Sequence, residues 1–186
     1  MSISRAEAEA ALLEVERTTA KAETRRGYRI GGPILILWGV IWICGYSAAG
    51  VLPVQQWGPV FLGLDAVGLV LTLVLARRGR GEGRSAAGAW RSLAAAAAGA
   101  AFLIATVMMF GPSPVEVYIA YPGLICGFLY AVWGLWRMPR LAWVGAAMFV
   151  ATLIGFYALE PSWLPFWMAG VGGGGLVLGG FWLRRG

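Results

Sequence analysis

Long stretches of uncharged, largely apolar residues recur along this chain, and they limit its fold more than any other feature. They fall at about 29–50, 57–76, 92–110, 115–136, 141–159 and 163–183. At about 18–23 residues each, all are long enough to cross a hydrocarbon core of about 30 Å as a helix. A backbone in lipid must satisfy its own hydrogen bonds, so a segment of this kind spans as a helix or as part of a closed barrel. The runs show no period-two alternation, which leaves the helix. The expectation is an all-α integral membrane protein, a six-helix transmembrane bundle over residues 28–186 preceded by an N-terminal helical segment over 1–27.

Composition supports the class. Only 13% of the 186 residues are charged, about half the share found in soluble domains. The 28 glycines and 10 tryptophans suit close helix packing and the membrane interface respectively. The formal charge of +6 does not indicate nucleic acid, because the basic residues flank apolar runs instead of covering a soluble face.

Their placement sets the orientation. Arg5, Arg17, Lys21, Arg25, Arg26 and Arg29 precede or open the first run, and Arg77, Arg78, Arg80, Arg84 and Arg91 separate the second from the third. Arg137 and Arg140 separate the fourth from the fifth, and Arg184 and Arg185 follow the sixth. All 15 basic residues therefore fall on one side, and the opposite connections, VLPVQQW, GPSPVE and LEPSW, hold none. The positive-inside rule then places both termini in the cytoplasm, with the chain multi-pass in a cell inner (plasma) membrane of bacterial type. The first run follows a charged segment without a small-residue cleavage site, so it reads as a retained anchor.

Residues 4–26, SRAEAEAALLEVERTTAKAETRR, read as a further helix. Ser4 and Glu7 have capping-box spacing, and Glu residues at the front with Arg25 and Arg26 at the end suit the helix dipole. Ala8, Leu12, Val15, Thr19 and Ala22 form a thin apolar stripe, too poor in large side chains to hold lipid by itself. Solvation, the membrane surface and another chain all remain open as its surroundings.

Asp65 is the one deep ionisable residue. It lies about 12 Å in from Trp57 at 1.5 Å per residue. A carboxylate at the centre of a span costs roughly 2.5–3.5 kcal/mol on insertion scales. Every Lys and Arg lies at the other end, so an ion pair within one chain is not expected. Asp65 is expected to face the bundle, hydrogen-bonded to a hydroxyl among Tyr46, Ser47, Thr106, Tyr118, Tyr121 and Tyr157 at similar depth. Two alternatives stand beside that: a cation or proton site with Glu116 and Glu160 as an outer vestibule, and contact with a basic group on another subunit.

Other chemistry finds little support. The chain has no histidine, and Cys44 and Cys126 are far apart inside apolar runs, which argues against zinc, haem and nucleophilic triads. No phosphate-binding loop is present, since that motif requires a Gly-Lys pair. The expectation is a non-catalytic protein without a cofactor. The run AGVGGGGLVLGG is a packing element, with Gly170/Gly174 and Gly175/Gly179 as small-xxx-small pairs facing either the Ala-rich third run or another subunit. Gly68–Gly79 and Gly175–Gly186 share seven of twelve residues, compatible with a duplicated hairpin or with chance at two helix exits. Pro33 and Pro165 are expected in first turns, whereas Pro122 should kink the fourth run and free a carbonyl.

The functional expectation is an accessory, assembly or regulatory component that packs with itself or with a membrane-protein partner, in contact with the lipid bilayer. The competing class is a small ion, proton or solute channel or carrier using Asp65.

Overall fold

The computed structural model describes residues 5–78, 97–99, 101–106, 108, 109, 111 and 113–185. Every regular element among them is helical: α1 (Arg5–Val51), α2 (Val54–Arg78), α3 (Val115–Arg137), α4 (Pro139–Ala158) and α5 (Leu164–Arg184). These five are long and apolar enough to cross a membrane. The expected third span, 92–110, and the arginine-rich segment before it lie largely outside the described residues. Of that span residues 97–99, 101–106, 108 and 109 are described, all helical, the first nine within a shorter apolar helix, Ala97–Thr106.

α1 departs most from the expected boundaries. The charged N-terminal segment and the first span form one helix of 47 residues, about 70 Å long at 1.5 Å per residue. The described side chains of residues 7–23 are all exposed, and the first buried residue is Tyr28. More than 20 Å of helix therefore projects beyond the bundle. Pro33 consequently lies deep inside α1 and not in a first turn. It removes the donor for the Arg29 carbonyl. Pro165 does occupy the start of α5. Ser4, the expected cap, lies outside the described residues.

Glycines set how closely the helices approach. A Cβ on Gly39 would lie 2.6 Å from the Gly173 carbonyl oxygen, and one on Gly173 would lie 2.8 Å from the Gly39 carbonyl oxygen. Seven residues away the contact repeats, with Gly180 2.6 Å from the Gly32 oxygen and Gly32 2.9 Å from the Gly180 oxygen. α1 and α5 thus run antiparallel along a seam of heptad-spaced glycines, backbone against backbone. α3 and α4 share a second seam. There Cβ atoms on Gly127 and Gly145 would meet the partner backbone at 2.7 and 2.2 Å, and one on Gly134 would meet the Ala142 backbone at 2.1 Å. Helices in lipid gain nothing from burying apolar area against each other, so close packing of this kind carries much of their association.

α5 contains a π-helical turn, Met168–Gly173. Met168 and Leu176 are both buried to 1% exposure although eight residues apart, a spacing that would rotate them about 80° in a regular helix. The wide turn absorbs one residue and returns both to the inner face. The glycines of this turn have no side chains to resist it.

α2 is peripheral. It packs on α1 through Phe61, whose ring fills the notch at Gly45, and through Gly68, which sits against Ile41 and Trp38. The Trp38 indole donates to Thr72 Oγ1 at 3.1 Å. α2 makes no extensive contact with α3, α4 or α5, and Leu62, Val67, Leu69, Val70 and Leu71 face outward. The buried core has two parts. One, around Tyr28, Leu35, Met138, Leu141 and Leu183, lies at the basic end. The other, around Tyr46, Ile119, Leu164 and Met168, lies toward the opposite end.

Candidate functional site

Tyr46 is the fixed point of the region around Asp65. It is 3% exposed and packs edge-on against Trp42 and Phe61, with ring centroids 5.5 Å away in both cases. Its hydroxyl donates to the Ile119 carbonyl at 3.0 Å. The cause lies in α3: Pro122 deprives the Tyr118 carbonyl of its helical donor and loosens the ladder beside Ile119. The side-chain donor from Tyr46 arrives one residue from the carbonyl that Pro122 frees.

Asp65 itself does not point into the bundle. Its side chain is exposed, and no hydrogen bond or ion pair joins it to another described residue. Among the described residues α2 has one covered flank. Phe61, Leu64, Gly68 and Thr72 mark that flank, and Asp65 follows Leu64 by one residue, about 100° around the helix.

Three of the expected hydroxyl partners are engaged elsewhere. Tyr46 serves Ile119, Tyr118 donates to the Gly111 carbonyl, and Thr106 donates to Phe102 of its own helix at 2.8 Å. Tyr157 is 81% exposed, and Tyr121 is half-buried on α3. Gly111 has a φ of +61°, in the left-handed region that favours glycine, and its turn is pinned to α3 by Tyr118. Glu116 opens α3 with Oε2 buried and without a hydrogen-bond partner among the described residues, whereas Glu160, beyond α4, is exposed. Nothing among the described residues joins these carboxylates to Asp65, nor do the described His, Cys, Asp and Glu residues form a cluster able to hold a metal ion.

The glycine run is used in a different register from the one expected. Among the described residues, a Cβ on Gly170, Gly174 or Gly175 would meet nothing within 4 Å, and one on Gly179 would meet only the Val144 side chain. The close approach runs through Gly173 and Gly180 instead, and its partner is α1. The signal for it was present in the sequence as the heptad pair Gly32 and Gly39.

Of the deep tryptophans, Trp38 and Trp167 form hydrogen bonds between helices, Trp167 donating to the Ala151 carbonyl at 2.9 Å. Trp42 stacks on Tyr46, and Trp133 is 63% exposed. Trp136, Trp143 and Trp163 are exposed near helix ends, in the manner of interfacial belts.

Arginines converge at the other end of the bundle. The Arg140 guanidinium lies over the rings of Tyr28 and Trp182, 5.5 and 5.8 Å from their centroids. It also donates to the Trp182 carbonyl at 3.2 Å. The stem of Arg184 crosses α1 at Gly32.

Compared with known proteins, the chain matches no family model, no curated protein and no solved structure.

Proposed function

We propose that this chain is a non-catalytic, six-span inner-membrane component with both termini in the cytoplasm, acting through helix packing with a second copy or a membrane partner. The observation that carries the reading is the exposed carboxylate of Asp65 on a peripheral helix, without a partner among the described residues. A carboxylate at this depth facing lipid has no compensation for its desolvation. A neighbouring helix laid along α2 would supply a donor and cover the outward row of Leu62, Leu69 and Val70. The projecting segment of α1 offers a second surface for the same assembly.

The test uses a protein whose two cysteines are replaced by serine and which carries Val70→Cys, oxidised in native membranes. Self-assembly predicts a disulfide-linked dimer that disappears when Asp65→Leu is added. A protein monomeric by mass that conducts ions or solutes alone in liposomes would overturn the reading.

The same exposed carboxylate within a spanning helix supports one second reading, a small ion or proton carrier with Asp65 as its protonatable group. Under it, Asp65→Asn folds normally and loses flux or the pH dependence of flux.

A further inference from the structure

A cavity of about 440 Å³ opens at the basic end of the bundle, lined by Arg25, Tyr28, Arg29, Pro33, Leu183 and Arg184. Three of these six residues are arginines, and the described lining contains no carboxylate. We propose that this cavity is a phosphate-binding site, with the headgroup of an anionic phospholipid as its occupant in the membrane.

The cavity is held in shape by its surroundings. Leu183 is fully buried and Tyr28 is 7% exposed, so the floor is rigid and apolar. Arg25 and Arg29 are one helical turn apart on α1 and share a face. Arg184 arrives from α5, and its position depends on Gly32: a Cβ there would lie 2.6 Å from the Arg184 Cγ. The bare backbone lets the stem pass and delivers the third guanidinium to the same opening.

Arg140, a further cation at this end, is held by two aromatic rings and a carbonyl. It stabilises the corner and leaves the other three to the cavity. Three like charges around one opening repel each other unless an anion lies between them. A phosphate accepts two parallel hydrogen bonds from each guanidinium fork, which a halide cannot do.

The depth suits a lipid. Tyr28 marks where α1 enters the bundle, and Trp143 and Trp182 on the neighbouring helices are exposed at the same end, the level at which headgroups lie. Basic pockets between transmembrane helices hold anionic headgroups by this chemistry. The positive-inside pattern accounts for arginines at this end in general; it does not account for three around one cavity.

The experiment is native mass spectrometry of the delipidated full chain. It is titrated with phosphatidylglycerol, with phosphatidylcholine of the same acyl chains, and separately with inorganic phosphate. Wild type should retain phosphatidylglycerol at least tenfold more strongly than the Arg29→Gln/Arg184→Gln double variant and more strongly than it retains phosphatidylcholine. Arg17→Gln, on the projecting part of α1, should match wild type. Retention of inorganic phosphate by wild type and not by the double variant, without preference for phosphatidylglycerol, would support the phosphate site and assign it to a free anion. Equal retention of both lipids, or no difference between wild type and the double variant in any titration, would overturn the proposal. If the double variant fails to fold by circular dichroism, Arg25→Gln takes its place under the same criteria.

Discussion

Gly39→Ala should destabilise the protein, and Gly174→Ala should not, although both add one methyl to a helical glycine in an apolar run. At Gly39 the new Cβ would lie 2.6 Å from the Gly173 oxygen, 2.7 Å from Val177 Cγ2 and 2.8 Å from the Val177 nitrogen. Two of these three atoms belong to backbone, so no rotamer change relieves them. Restoring an ordinary contact of 3.4 Å asks α1 and α5 to part by about 0.8 Å. That separation also loosens Gly32 against Gly180, because both contacts lie on one seam. Overpacking of this kind costs typically 1–3 kcal/mol, and the better helix propensity of alanine returns up to about 1 kcal/mol. The net expectation is about 1–2 kcal/mol of destabilisation, or roughly 2–8 °C in thermal midpoint for a chain of this size. At Gly174 nothing among the described residues lies within 4 Å, so only the propensity gain remains and the midpoint should hold or rise. The assay is thermal unfolding in a fixed detergent, followed by tryptophan fluorescence. Equal destabilisation by both variants, or greater loss at Gly174, would show that the seam does not lie where the structure puts it.

Asp65→Leu strands no hydrogen-bond partner among the described residues, so the monomer should be as stable as wild type or more stable, while light scattering shows loss of assembly; a fall in monomer midpoint would mean that the carboxylate has an internal partner. Tyr46→Phe leaves the Ile119 carbonyl without its side-chain donor and should cost about 1–3 kcal/mol, read by the same unfolding assay. Trp38→Phe removes the bond to Thr72 and should cost about 0.5–1.5 kcal/mol. Because α1 is the described helix on which α2 packs extensively, that variant should increase the labelling of a cysteine placed at Ile41, and unchanged labelling would count against α2 being so weakly attached.

The class of this protein was legible from the chain. Apolar length is a local property, and five of the expected spans return as helices. The collection of Arg25, Arg29, Arg140 and Arg184 at one end follows from counting charges between runs, since short connections leave each helix little choice but to turn back. The carbonyl that Pro122 leaves without a helical donor was legible for the same reason, because a missing amide proton is a property of one residue.

What the chain could not reveal was which face each helix presents. Gly172 to Gly175 offer several registers of equal composition, and only contact with Gly39 and Gly32 selects Gly173 and Gly180 over Gly170 and Gly174. The N-terminal segment was set apart at residue 27, yet α1 runs through that point, because a backbone entering lipid keeps its own hydrogen bonds whatever its side chains prefer. Asp65 looked inward because depth can be read from a sequence. Direction depends on how much of α2 is covered, and that was decided by the α1 notch at Gly45, which takes the Phe61 ring and leaves the next flank open.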